Sequence, residues 1–146
     1  MARKHIIDKR QFRIGDVFMM EFTGVSHEQR GVRPAVVFQN NVGNKYSPNI
    51  IALPFTSVLK KQHLPTHVLI RASQSGLSRD SIVLCENPER VSKDRVGEYI
   101  TTLSDAQMRQ IAVASLIATS AIAFLDAASL QHIRNEAMRY NNLLKN

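Results

Sequence analysis

Short apolar runs fill the first hundred positions, separated by glycine, asparagine, proline and serine. The first of them predicts a strand over about residues 13–22, because its apolar side chains recur with a period of two, at Ile14, Phe18, Met20 and Phe22. Further runs rich in β-branched residues predict four more strands: PAVVFQN, NIIALPF, THVLIR and SIVLC. Five short strands in about 75 residues are typical of a compact β barrel or sandwich.

Two prolines set expected limits on these strands, because proline cannot donate a hydrogen bond to a ladder. Pro34 is expected to open the second strand or lie at its edge, and Pro54 to mark the end of the third. A weaker run, YITTL, could close the sheet.

The last forty or so residues have helical patterns. Ser104 and Gln107 in SDAQ form a capping-box pattern, which predicts a helix beginning after Ser104. Asp126 with Ser129 could start a second helix, whose periodic apolar positions favour packing over exposure; they are Leu130, Ile133, Ala137, Tyr140 and Leu144. The expected fold class is mainly β with C-terminal helices (α+β).

Length and cysteine content narrow the class of protein. The 146 residues suffice for one domain with a real core. Cys85 is the single cysteine, which excludes an intramolecular disulfide and favours a buried, inert thiol. Residues 1–13 are a polar, basic arm with no apolar core typical of a secretory signal, and no apolar run is long enough to span a membrane. A cytoplasmic protein is expected.

The charge is strongly positive and unevenly distributed. The chain carries 19 Lys and Arg against 12 Asp and Glu, a net charge of +7, and no acidic residue occurs between Glu28 and Asp80. A polyanion is the natural partner for such a surface. The alternative is a basic surface that serves only solubility.

No motif for a metal or a nucleotide cofactor is present: the chain has no P-loop, no G-x-G-x-x-G after a strand and no H-E-x-x-H. His63 and His67 have helical spacing, but Pro65 lies between them and makes ligation from one helix face improbable. Neither a metal nor a cofactor is expected.

The segment SHEQRGVRP gathers groups suited to cleaving a phosphodiester. His27 or Glu28 could act as a base, and Arg33 offers a permanent cation whose planar fork matches phosphate oxygens. The alternative is structural, with Arg33 merely paired to Glu28.

Two further strand ends carry polar groups. Thr56 and Ser57 follow the strand NIIALPF, where a hydroxyl can donate to phosphate oxygens or can simply cap a turn. Glu86 and Asn87 follow SIVLC, where they could read base edges, although a turn before Pro88 would explain Asn87 equally well.

These motifs together resemble the MazF/PemK (Kid) toxins of bacterial toxin–antitoxin systems. The similarity runs from about residue 14 to residue 111 and includes, in the family's order, GDV, HEQRGVRPAVV, QNNVGNKYSP, PFTS, LPTHV, RDSIVLCENPERV and LSD. The resemblance implies an SH3-like twisted barrel of the MazF/CcdB type, a homodimer, and a metal-independent, sequence-specific endoribonuclease that cuts single-stranded RNA.

The resemblance also implies roles for particular residues. Arg33 and Thr56 stand at the family's catalytic positions and Glu28 at its acidic loop position, for attack by a 2′-hydroxyl that leaves a 2′,3′-cyclic phosphate. The base is Glu28 or, by analogy with Kid, Glu86, and Leu84 stands where Kid has an arginine that serves as general acid. The expected RNA-positioning residues are His27, Gln29, Asn40, Ser57, Glu86 and Asn87.

Partners and organisation follow from the same resemblance. The family implies an antitoxin with a disordered acidic tail, which the acid-free basic stretch could attract. The expected organisation is an N-terminal basic arm (1–13), a MazF-like endoribonuclease domain (14–125) and a C-terminal helical extension (126–146). The alternative function is that of a CcdB-like toxin or regulator that binds a protein target without catalysis.

Overall fold

The computed structural model describes residues 10–24, 30–60 and 63–144. Within these ranges the chain forms seven strands and three α-helices, so the expected mainly β fold with C-terminal helices is confirmed. The strands are β1 (Asp16–Thr23), β2 (Arg30–Val37), β3 (Asn49–Thr56), β4 (His67–Ile70), β5 (Ser81–Leu84), β6 (Glu89–Ser92) and β7 (Val96–Thr102). The helices are α1 (Asn41–Tyr46), α2 (Asp105–Thr119) and α3 (Ala127–Asn141).

All strand pairs are antiparallel, in the order β4-β5-β3-β2-β1-β7, with β6 also paired to β3. Strand β3 is the centre of the sheet because it pairs with three neighbours. Its first half pairs with β6, residues 52–54 pair with β2, and Phe55 and Thr56 pair with β5. Near its C-terminal end, strand β3 therefore stops pairing with β6 and β2 and pairs with β5 instead.

Both prolines lie inside strands: the expected strand end at Pro54 is wrong, and Pro34 does not open β2 but lies at a locally unpaired edge of it, the other place expected for it. Pro34 pairs with Met19 of β1, and Pro54 pairs with Ala35 of β2. Each nevertheless occupies a place where its strand is paired on one side: Pro34 precedes the β2–β3 ladder, and Pro54 falls between the parts of β3 that pair with β6 and β5. A missing N–H removes no ladder bond at a locally unpaired edge.

The core consists of two apolar clusters, one on each face of the sheet. On one face, Ile111 and Ala114 of α2 pack with residues such as Leu53 and Phe55. The other face carries Met20, Ala35, Val37, Ile50 and Ala52, with Phe12 and Phe18 in a tilted ring contact whose centroids are 5.1 Å apart. Alternation along β2 sends Val36 into the first cluster and Ala35 and Val37 into the second.

The helix starts are where the sequence predicts them. Ser104 forms the full capping box with Gln107, and the Asp126 side chain caps α3 by accepting from the Ser129 N–H at 2.8 Å. The expected packing of α3 is wrong for the single chain, because no residue of α3 is buried and Ile133 is 47% exposed. Its contacts are with α1 and the short 3₁₀ turn at residues 142–144.

The sequence patterns miss two elements, α1 and β6. No helix of the described residues has the length and apolar character that crossing a bilayer requires.

Candidate active site

The register of β2 against β3 brings Arg33 and Thr56 towards each other. The last pair of this ladder is Ala35 with Pro54, and the register continued by two residues would set Arg33 opposite Thr56. Because side chains two apart on a strand share a face, both side chains lie on the face of the second core cluster. The ladder has ended at this point, and the place between β2 and β3 that the two residues flank is called the opening from here on.

Arg33 is firmly supported by the sheet beneath it. The residue is half-buried, its Nε atom is buried, and it pairs across the ladder with Met20 of β1, which is completely buried. A guanidinium held in this way presents a planar set of donors.

Thr56 is held at the last position of β3. It pairs with Ile82 of β5, and its Oγ1 atom accepts a hydrogen bond from the Val58 N–H at 3.2 Å. The hydroxyl therefore serves the turn, as the structural alternative expected. Its own proton can still be donated, because a hydroxyl accepts and donates at the same time.

A histidine–carboxylate pair lies on the same face, two strands away. The Nε2 atom of His67 is 2.8 Å from Oε1 of Glu86, and the His67 side chain is 7% exposed against 36% for Glu86. His67 pairs with Leu84, two residues along β5 from Ile82, the partner of Thr56. Strand spacings put this pair about 12 Å from Thr56. Nineteen residues separate the two groups in sequence, and no local pattern joins them.

The other sequence-predicted residues are only partly brought together. Ser57 is exposed and directly follows Thr56, whereas Asn87 is half-buried in a turn in which its N–H donates to the Leu84 carbonyl at 3.1 Å. Asn40 caps α1, its Oδ1 accepting from the Gly43 N–H at 2.8 Å. That position is beyond the opposite end of β2, about 20 Å from Arg33. His27, Glu28 and Gln29 lie outside the described residues.

Cys85 has no role as a nucleophile in this arrangement. The residue is 2% exposed, so the expected burial of the thiol is confirmed. Burial raises the pKa of the Cys85 thiol to about 12, and the charge of Glu86 adds to the rise. The thiol is therefore protonated at neutral pH.

The described residues contain no group of three or more His, Cys, Asp or Glu side chains placed to hold a metal ion. What the opening does offer is a fixed cation, a hydroxyl donor and, further along the face, a carboxylate held by a histidine. Such a set can bind an anionic phosphodiester and donate to the oxygens on which charge develops as the ester is cleaved.

Comparisons with known proteins identify the family of the chain. The family model of the PemK-like, MazF-like toxins of type II toxin–antitoxin systems matches residues 13–118. Endoribonuclease MazF of Staphylococcus saprophyticus is 41% identical over 100 residues, which cover 68% of this chain and 83% of the relative.

Solved structures show the same fold. MazF of Deinococcus radiodurans superposes with a TM-score of 0.65 at 22% identity, covering 74% of this chain and 96% of that one. An endoribonuclease from a mycobacterial species, in complex with its cognate antitoxin, superposes with a TM-score of 0.59 at 23% identity, covering 75% and 95%. These likenesses confirm the expected MazF-type fold. With the family match over most of its length and a relative 41% identical, the chain belongs to the PemK-like, MazF-like toxins of type II toxin–antitoxin systems.

Proposed function

We propose that the chain is a metal-independent, sequence-specific endoribonuclease that cuts single-stranded RNA as the toxin of its toxin–antitoxin pair. The observation that carries the proposal is the position of Arg33 and Thr56 on one face, across the opening between β2 and β3. The curated relative from Staphylococcus saprophyticus, named an endoribonuclease, supports the same activity.

The reaction needs no group beyond those of the chain and the RNA. A 2′-hydroxyl loses its proton to a base, its oxygen attacks the adjacent phosphorus, and the bond from phosphorus to the 5′-oxygen breaks as that oxygen takes a proton, for which Arg33 is the candidate donor. Arg33 stabilises the negative charge on the phosphate oxygens and donates towards the leaving 5′-oxygen, and Thr56 donates to a phosphate oxygen. The products are a 2′,3′-cyclic phosphate and a 5′-hydroxyl.

Glu28 and Glu86 are the two candidates for the base. Glu86 is supported by its contact with His67, which holds one carboxylate oxygen, and by the 36% exposure of its side chain. It lies about 12 Å from Thr56 by strand spacing, which suits a contact with a neighbouring nucleotide better than with the scissile phosphate. Glu28 therefore stays the favoured base, with Glu86 among the residues that position the RNA, together with His27, Gln29, Ser57, Asn87 and Asn40.

The proposal includes the expected partners. The chain acts in the cytoplasm as a homodimer, and an acidic antitoxin covers its basic face. Residues 14–125 are the catalytic domain, flanked by the basic arm and the C-terminal helical extension.

The direct test is cleavage of a mixed-sequence RNA by the purified protein in EDTA. We expect discrete fragments with 2′,3′-cyclic phosphate ends, and Arg33→Ala should lower the cleavage rate by about 10²–10³-fold because it removes the charge that stabilises the transition state. Arg134→Ala is the matched control, since Arg134 is an exposed arginine of α3 and has no part in the proposed mechanism.

Three outcomes would count against the proposal. Intact RNA with the parent protein would favour the CcdB-like alternative, in which the chain binds a protein target. A folded Arg33→Ala variant that cuts at the parent rate would remove Arg33 from the mechanism. If Glu86→Gln abolishes cleavage while Glu28→Gln does not, the base is Glu86.

A further inference from the structure

A second basic site lies at the far end of the sheet, beyond the positions assigned to catalysis. A cavity of about 430 Å³ opens between the segment Arg10–Arg13, helix α1 and Lys93. Its volume is within the range of pockets that hold small organic ligands, about 300–1,000 Å³. Nothing in the catalytic proposal uses it.

Four cations line this cavity: Arg10, Arg13, Lys45 and Lys93. No acidic side chain is among the described residues that line it, and Asn41 and Asn44 add amide groups to its wall. Because like charges repel, four cations around one cavity favour an anionic occupant.

Carbonyl groups and an aromatic ring contact two of these cations, Arg10 and Lys93. Arg10 donates to the carbonyls of Gly97 and, at 2.6 Å, Val96, and its guanidinium lies 5.2 Å from the centroid of the Phe12 ring. Lys93 donates to the Asn44 carbonyl at 2.7 Å and lies 5.4 Å from the same ring. Hydrogen bonds to carbonyls and contacts with a ring face orient these two side chains at the wall of the cavity.

Both flanking segments of the chain contribute to the wall. Arg10 and Phe12 precede the family match at residues 13–118, and Leu144 follows it by 26 positions. The cavity thus combines residues inside the family match, from α1 and the turn between β6 and β7, with residues outside it. Beside it lies Asn40, a residue expected to contact RNA but placed about 20 Å from Arg33 by the length of β2.

We propose that this cavity binds backbone phosphates of the RNA substrate several nucleotides away from the scissile bond. The inference rests on the proposed function, because the polyanion it commits to is the RNA that the opening at Arg33 and Thr56 would cut. Single-stranded RNA has a phosphate at every nucleotide and is held along its backbone by basic grooves with sites of about 4–16 nucleotides. A strand that engages both places gains affinity from the second contact.

The test compares RNAs that can and cannot span the two places. Binding of 2′-O-methyl RNAs of about 3 and about 16 nucleotides, which cannot be cleaved because the attacking hydroxyl is blocked, is measured by fluorescence anisotropy over a range of salt. The double variant Arg13→Gln/Lys45→Gln should weaken binding of the long RNA about tenfold. It should also reduce its salt slope by about 1.4, since each lost phosphate contact removes about 0.7.

The control variant Arg109→Gln/Arg134→Gln removes two exposed cations of α2 and α3 that do not line the cavity, and it should change the ratio of long to short affinity by less than twofold. Arg13 and Lys45 are both exposed, so Arg13→Gln/Lys45→Gln should keep the melting temperature of the parent protein. If its melting temperature falls, the same binding measurements are made with the single variant Lys45→Gln.

If Arg13→Gln/Lys45→Gln lowers the affinity for long and short RNA equally, or lowers neither, the proposal of a second RNA-binding site is overturned. A loss confined to an acidic peptide, such as oligoglutamate, would also overturn it and would identify the cavity as a protein-binding surface. Cleavage of unmodified RNA by the parent protein is scored separately. If it occurs while the affinity ratio is unchanged, only this inference fails; if the parent cuts no RNA, the proposed function fails.

Discussion

At the scale of single residues, the opening between β2 and β3 depends on two side chains that are already constrained before RNA binds. The Oγ1 atom of Thr56 accepts a hydrogen bond from the Val58 N–H, so its position is fixed and only the direction of its O–H bond can change. Arg33 is half-buried and pairs with the buried Met20 of β1. Groups held in advance lose little entropy when the transition state forms, and this pre-organisation is what makes such donors effective.

Cys85 gives the clearest pH-dependent prediction at this scale. Because burial raises the pKa of the thiol from 9.0 to about 12, the folded state disfavours the thiolate. The contribution of the neutral thiol to the stability of the folded state is fully present below pH 9 and is lost as the pH rises from 9 towards 12. Between about pH 8 and about pH 10.5 we expect the parent to lose about 2 kcal/mol more of its free energy of unfolding than Cys85→Val, measured by urea denaturation.

The comparison with Cys85→Val is necessary because lysines and tyrosines also titrate in this range. They are common to both proteins, so their effect cancels in the difference between the two pH dependences. Parallel curves for the two proteins would show that the thiol ionises as easily in the folded state as in the unfolded chain.

At the scale of elements, α3 is the helix with the least support from the rest of the described fold. It has no buried residue, and its start depends on the Asp126 side chain, whose pKa is lowered by hydrogen bonds from the Ser129 backbone and hydroxyl. A lowered pKa means that this cap is present above the carboxyl's ordinary range and is lost as the pH falls below it.

We therefore expect Asp126→Ala to fray the first turn of α3 while leaving the sheet intact. Hydrogen exchange should become several-fold faster at the amides of residues 129–131, with no change in β3. The matched variant Ser104→Ala removes the equivalent cap of α2, and its effect should be smaller because Ile111 and Ala114 anchor that helix in the core. Unchanged exchange at 129–131 in Asp126→Ala would mean that contacts other than the cap hold the turn.

Elements with a strong local signal could be predicted from the sequence. The alternation in β1, the β-branched runs of β3 to β5 and the capping box at Ser104 all correspond to observed elements. Strand β6 has a single buried apolar residue, Val91, and α1 contains a glycine, so neither shows a period. Both form because β3 and the core beside them supply the partners.

The candidate site was predictable residue by residue but not in its geometry. Arg33 and Thr56 stand out because each is placed at a strand limit in the sequence and matches a family motif. Their approach depends on the register of β2 against β3, and the contact of His67 with Glu86 depends on the pairing of β4 with β5. Register follows from long-range pairing, which a local pattern does not encode.

At the scale of the whole molecule, the exposed apolar side chains gather at the C-terminal end of the chain. Large apolar residues of α2 and the following 3₁₀ turn are open to solvent, with Phe124 88% exposed. The others in this strip are Val113, Leu116, Ile117 and Ile122. Large apolar side chains exposed in this way on a 146-residue chain are typical of an interaction surface.

The homodimer of the proposed function supplies a partner for this strip. A helix with an apolar side can pack against its own copy about a twofold axis, and each large side chain buried there contributes about 1.5–3 kcal/mol. Light scattering should therefore give a mass of twice the 16.4 kDa of one chain.

The double variant Leu116→Glu/Ile117→Glu should shift the protein towards monomer, because it would bury charges without partners at the interface. The control Gln131→Glu/Asn135→Glu adds the same charge on exposed polar positions of α3 and should leave the dimer intact. A parent protein with the mass of one chain would contradict the dimer itself. Carboxylates in the strip are unfavourable next to a neutral apolar partner. A dimer that survives Leu116→Glu/Ile117→Glu would therefore place the dimer interface on another surface, and the strip would have a different binding partner.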